Sequence, residues 1–271
     1  MGEKRSGRLL LTAWYIGFLP TVLMNHVGFD ISSGYSHNMA FAEPVDSTTA
    51  LKSYELFAVA DSIIENKGYK AAVDYIRTFE KLYTDPTEVS IYRQIMATYT
   101  SAQGNTAEAL KYDALYAPGI EEVAFTFGDE FEVKSARETI TERCHEKQVV
   151  MFNESHHRGQ HRVFIRSVLK DMYTLGFRYF LVEAYMPDED SLLNTRGYPI
   201  LKTGTYIREP AFGQLIREAK EIGFTVAAYD RDTSECNSPE PFVCANQREK
   251  VSAENIYEVL KKDPKAKILV A

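Results

Sequence analysis

The 271-residue sequence predicts a parallel α/β domain preceded by an α-helical region, and three observations carry that expectation. Four short, nearly continuous apolar runs lie in the second half of the chain, amphipathic stretches of helical spacing separate them, and upstream the apolar residues recur only at three and four. Strand alternating with helix is the pattern of a parallel sheet built by right-handed crossovers.

Residues 1–42 stand apart from both regions. Lys4, Arg5 and Arg8 precede an apolar run from Leu9 to Met24, and the small residues Ala40-Phe-Ala42 follow. This is the layout of an export signal cleaved before Glu43. The alternative is an uncleaved membrane anchor, because the run through Phe29 approaches the roughly 20 residues that span a bilayer. On either alternative the remainder is expected in the periplasm or another extracytoplasmic compartment, touching the membrane only through this segment.

From 45 to 125 the spacing is helical: Leu51, Leu56, Val59, Ile63 and Ile64, then Ala71, Val73, Ile76, Phe79 and Leu82. A second stretch repeats the first at an offset of 36, pairing Gly68 with Gly104, Ala71 with Ala107, Val73 with Ala109 and Ile76 with Tyr112. Such a period describes antiparallel helix pairs, repeated. The region resembles tetratricopeptide repeats, whose pairs carry a Gly at the turn and small residues on the second helix. Two units are few for a solenoid, since each repeat buries its apolar face on a neighbour. Two roles stay open: a helical cap packed on the following domain, or an interaction module that binds a protein partner.

From 126 to 271 the period changes. Gln148–Phe152, Arg178–Val182, Thr225–Tyr229 and Lys267–Ala271 have strand length, and their continuity is that of strands covered on both faces. Helices are expected at His161–Leu175 and Ala211–Ile222, closed by Gly176 and Gly223, and at Arg248–Lys262, stopped by Asp263-Pro264. The last run ends at Ala271 without a turn or a closing helix, so the domain is expected to continue past that residue, and the 271 residues by themselves to show little or no activity.

Composition removes several function classes. With 38 acidic against 31 basic residues the net charge is −7, which gives no general attraction for phosphate backbones and makes nucleic acid an unsuitable partner. The three cysteines, Cys144, Cys236 and Cys244, form no CxxC pair, which argues against a thiolate zinc site. Cys236 and Cys244 are either a loop staple in an oxidising compartment or two unpaired thiols. Gly-x-Ser-x-Gly, His-Glu-x-x-His and Gly-x-x-x-x-Gly-Lys-Ser/Thr are all missing from the sequence, which disfavours serine-nucleophile hydrolases and P-loop nucleotide enzymes.

Ligands of a parallel sheet bind beyond the carboxyl ends of its strands. Here the first strand runs into Asn153-Glu154-Ser155-His156-His157, the second into Glu183-Ala184-Tyr185 and the third into Asp230-Arg231-Asp232. Carboxylates and imidazoles converging on one edge suit two tasks. One is holding a divalent metal through Glu154, His156, His161 and Glu183; the other is tuning His156 or His157 as a general base near neutral pH. His157 and His161 are four apart at the expected start of a helix, which predicts a shared face. Met186–Pro210 reads as a long loop over the strand ends, with Tyr185, Tyr198 and Tyr206 either as pocket walls or as ordinary surface aromatics.

Three stretches in order, Phe152-Asn-Glu-Ser-His-His-Arg-Gly-Gln-His-Arg162, Gly176-Phe-Arg-Tyr-Phe-Leu-Val-Glu-Ala184 and Gln247-Arg-Glu-Lys-Val-Ser-Ala-Glu-Asn-Ile256, resemble the erythromycin esterase-like and haem-binding ChaN/Tiki superfamily. The resemblance covers about 148–271. Asn153 and Ser252 stand where Gly and Met are usual, and the further His that members carry after the last of these strands has no counterpart up to Ala271. The resemblance implies Glu154, His156 or His157, His161, Glu183 and Arg248 as site residues. It implies one of three activities: ester hydrolysis by a His general base without metal, metal-dependent peptide hydrolysis, or haem binding without turnover. The leading expectation is an exported hydrolase of the esterase-like group acting on a small-molecule or peptide substrate, with Glu154 and Glu183 orienting the base or holding a metal and Arg248 stabilising negative charge. Its alternative is a metal- or haem-binding protein.

Overall fold

The computed structural model describes residues 51–53, 55–116, 132–183, 189–204, 206–230 and 243–271. The expected signal or anchor within 1–42, the boundary at 125/126, Tyr185, Asp232 and Cys236 lie outside the described residues. Cys144 is buried and free, and Cys244 is disulfide-bonded. No helix among the described residues is long and apolar enough to cross a membrane.

The helical region contains α1 (Glu55–Arg77), α2 (Pro86–Ala102) and α3 (Thr106–Tyr116). Helix α1 is interrupted at Gly68, whose φ of 80° leaves the helical range, and Gly104 with φ of 90° separates α2 from α3. Both glycines of the 36-residue offset therefore occupy backbone conformations that side chains with a Cβ disfavour. Helix α2 starts where Asp85 Oδ1 accepts hydrogen bonds from the Thr87 and Glu88 amides and Pro86 fills the first turn, where its lost N–H costs nothing. The apolar positions picked out by spacing, among them Leu56, Ile64, Val73 and Ile76, join Ile95 and Met96 in one core.

The second region opens with α4 (Ala136–Cys144) and continues β1 (Val149–Met151), α5 (Gly159–Thr174), β2 (Tyr179–Val182), α6 (Glu189–Arg196), α7 (Pro210–Ile222), β3 (Thr225–Ala228), α8 (Val243–Lys262) and β4 (Ile268–Val270). All four strands are parallel, in the order β1-β4-β2-β3. Alternate residues feed opposite faces, as the period of a strand requires. Phe180, Val182, Val226, Ala228 and Leu269 pack with α5 and α7, whereas Leu181, Ile268 and Val270 pack with Ile256, Val259 and Leu260 of α8. The chain moves outward from β1 to β2 to β3 with helices on one face, then turns back to β4. Since parallel crossovers keep one hand, the reversal carries α8 to the other face.

The four strands and the helices α5 and α7 match the sequence expectation to within two residues at each end, and α5 and α7 end at the positive-φ glycines Gly176 and Gly223. Helix α8 begins at Val243, five residues ahead of Arg248, so Arg248 lies inside it. The segment expected as a loop over the strand ends instead contains α6 and two 3₁₀ turns, Leu201–Thr203 and Tyr206–Arg208. Polar bonds fix it together with Leu193 and Ile207, which are buried in the core. Arg196 and Thr203 Oγ1 both donate to the buried Glu189 carboxylate, and the Asn194 amide exchanges hydrogen bonds with the Val226 backbone at 2.6 and 3.1 Å.

Candidate active site at the strand ends

The carboxyl ends of β1, β2 and β3 bring together most of the residues that the sequence singles out. Glu154 follows β1 and is 7% exposed; its Oε1 lies 3.0 Å from His156 Nδ1 and accepts a 2.7 Å bond from Arg162 Nη2. Glu183 follows β2 directly, fixed by its own amide donating to the Ala271 carbonyl, and one of its oxygens is 3.9 Å from His156 Nε2. Its other oxygen accepts from the Arg248 guanidinium, which reaches across from α8 and also lies 3.8 Å from Asp230 after β3. Seven residues on, on the same face of α8, Asn255 donates to the Tyr229 carbonyl at 2.8 Å and ties the helix to the end of β3. Connections leave β2 and β3 toward opposite faces, which opens the crevice where Arg248 sits.

Two residues complete the arrangement that the motifs did not assign. Arg162, on α5, is 1% exposed and bridges Glu154 to Glu209, donating 2.7 and 2.9 Å bonds. Glu209 caps α7, accepting from the Ala211 and Phe212 amides as well. The guanidinium also lies over the Phe212 ring, 4.8 Å from its centroid. Tyr206 stacks on His156 with ring centroids 3.8 Å apart and planes 13° from parallel, so of the aromatics named from sequence it becomes a wall of the site. Tyr198 remains exposed, between Arg196 and Arg217.

His157 and His161 do not share the face expected from their spacing. Helix α5 begins only at Gly159, so His157 lies in the turn before it and the four-residue rule does not apply. His157 Nε2 turns toward Asp113 of α3 at 2.7 Å, without hydrogen-bond alignment, beside the Arg158–Asp113 pair. His161 Nδ1 accepts the Ser155 amide at 3.1 Å and so shapes the loop that presents Glu154 and His156. Burial pulls both imidazoles below their ordinary titration range. Burial also works against charge on Glu154, but the His156 hydrogen bond and the Arg162 guanidinium outweigh it, and the carboxyl titrates below its usual value. Burial, aided by the charge of Glu183, pushes the Tyr206 phenol up to about 12, so it stays a neutral O–H.

An ionised carboxylate only accepts hydrogen bonds, so the Glu154 partner assigns the proton of a neutral His156 to Nδ1 and leaves the Nε2 lone pair open. The Tyr206 stack fixes the ring plane, and the side chain keeps 35% of its surface exposed. This is the orienter-and-base arrangement of general-base catalysis. Among the described residues, no group of three or more His, Cys, Asp and Glu is arranged to hold a metal ion. The donor set also fits one poorly, because Glu154 and Glu183 each already face a guanidinium. Comparison with protein-family models, with curated proteins and with solved structures finds no match for this chain.

Proposed function

We propose that the chain forms the working edge of an exported hydrolase of the erythromycin esterase-like group, with His156 as general base. The observation that carries the proposal is the Glu154–His156 bond at Nδ1, which leaves Nε2 open beside Glu183. Glu154 acts as a positioning residue, held ionised by the buried Arg162. A substrate ester bond lies against Nε2, a water loses its proton to that nitrogen as its oxygen bonds to the carbonyl carbon, and the oxyanion forms within reach of Arg248; as the oxyanion collapses the ester C–O bond breaks and the leaving alkoxide takes the proton back from the imidazolium, releasing acid and alcohol. The tetratricopeptide-like character of α1–α3 belongs to the same proposal, supported by the similar positive φ of Gly68 and Gly104. Export rests on residues 1–42.

The full-length protein, with any residues beyond Ala271 included, is purified and assayed on ester and peptide substrates with and without chelator, beside His156→Ala and His157→Ala. Hydrolysis that survives chelation and falls about 10²–10⁴-fold in His156→Ala alone is the expected result. Loss on chelation, or bound metal or haem with no turnover, favours the metal- or haem-binding reading instead.

A further inference from the structure

Beside His156 lies a cavity of about 150 Å³ whose walls come from both regions of the chain. Phe57 and Tyr69 of α1 and Thr98 and Ala102 of α2 form one side; Tyr206 and Arg208 belong to the other. Its charged groups are paired: Arg208 Nη1 donates to Asp61 at 3.0 Å, and Arg162 donates to Glu209 at 2.9 Å. A charged ligand would have to break such a pair, so the walls suit an uncharged one. The volume resembles that of an apolar cavity known to take benzene, about 150 Å³, which limits the occupant to a compact group. Its polar handles include the Gln94 side-chain amide and the Tyr206 and Tyr69 hydroxyls. The Tyr69 hydroxyl makes no hydrogen bond among the described residues, and burial beside Asp61 and Glu209 pushes it up to about 12, so it remains a donor. Thr98 spends its hydroxyl proton on the Gln94 carbonyl at 3.0 Å and offers only acceptor capacity.

We propose that this cavity is the subsite for one side of the scissile bond, that it accepts a compact, uncharged, ring-sized group carrying a hydroxyl or ether oxygen, and that Tyr69 of the helical region determines that specificity. The helical region is then a wall of the site rather than a separate docking module. The assignment to a scissile bond rests on the hydrolase proposal above; the occupancy of the cavity does not.

Phenol and toluene serve as binding probes by ligand-observed NMR, and phenyl acetate and 1-naphthyl acetate as substrates. Phenol is expected to bind more tightly than toluene, and Tyr69→Phe to weaken phenol about fivefold while leaving toluene unchanged, as for one lost hydrogen bond. Ala102→Leu, which fills the cavity, abolishes binding of both. If Ala102→Leu fails to fold, the phenol-to-toluene ratio in Tyr69→Phe decides alone. An unchanged ratio in Tyr69→Phe, or undiminished phenol binding in folded Ala102→Leu, overturns the subsite even if esters are hydrolysed. Binding as expected with no ester turnover leaves the subsite standing and removes the hydrolase. Where turnover occurs, phenyl acetate is preferred over 1-naphthyl acetate by at least about tenfold, a preference of the size expected from fit to an apolar pocket; equal rates overturn the size limit.

Discussion

At the scale of single residues, two buried histidines beside the strand ends set the acid stability of the site. His157 and His161 are held neutral by burial, and each titrates lower in the folded chain than its unfolded value of about 6.5. As pH falls through that value the unfolded chain takes up protons that the folded chain refuses, so stability is full above about pH 6.5 and is lost as pH drops toward the folded values. Glu154, whose carboxyl is also depressed, adds a second loss at lower pH, as the medium passes its unfolded and then its folded value. Protonation of His161 is specifically costly because Nδ1 then becomes a donor facing the Ser155 N–H. The urea midpoint is therefore expected to fall between pH 7 and pH 5, and His161→Asn, which keeps an acceptor near the Nδ1 position but cannot titrate, to flatten that fall. A His161→Asn profile parallel to the parent would sink the idea. Glu154, His156 and Glu183 were legible in the sequence because strand ends are, Arg248 was reached only through the resemblance of its helix, and the structure gathers all four. Arg162 left a fainter signal: a charge in register with the buried stripe Ile165, Leu169 and Met172, where only a paired charge is tolerable. Asp113 and Glu209 left none, since both arrive from elements distant in sequence and nothing local marks a tertiary ion pair.

At the scale of elements, legibility followed the source of stabilisation. Strands β1 to β4 and helices α5 and α7 bury continuous or periodic apolar faces, and those patterns are written locally. Helix α6 depends on Glu189, Arg196 and Asn194 meeting partners as far as 32 residues away, which no window along the chain can display. Nor does the sequence order its strands: β4 enters between β1 and β2 because that gap remains once β1, β2 and β3 have been laid outward. The helix stops are local, and two glycines separate the reasons for them. Gly104 has φ of 90° and open space where a Cβ would go, so Gly104→Ala pays only for the backbone, about 1 kcal/mol. Gly223 has φ of 114°, and its Cβ would lie 2.8 Å from the Tyr173 hydroxyl, which packs against Phe224 at the start of β3. Gly223→Ala is expected to cost about 2–3 kcal/mol, the backbone term plus displacement of that ring. Denaturant titration of the two variants checks the order; equal losses would mean that Tyr173 swings aside freely.

At the scale of the whole molecule, the hydrophobic core of the helical region and the two cores of the sheet meet through polar contacts. One core belongs to α1–α3 and the others lie on the two faces of the sheet, yet Asp113 of α3 takes the Arg158 guanidinium, and Asp61 of α1 takes both Arg208 and the Tyr99 hydroxyl, each at 3.0 Å. The Arg208 and Asp61 side chains are only 7% and 12% exposed. Salt screens such a pair weakly, and a lone survivor of it would be a charge held out of water. Removing either partner should therefore lower stability by more than a surface ion pair would, while removing both should restore part of the loss. In a cycle of Arg208→Gln, Asp61→Asn and the double variant, measured by urea unfolding, the coupling energy is expected at about 1–3 kcal/mol. Because the pair borders the cavity beside His156, the same variants should also weaken phenol, by disturbing the wall that carries Tyr69. Coupling indistinguishable from zero would mean that the helical region and the sheet touch without holding one another, and that the wall is not fixed by this pair.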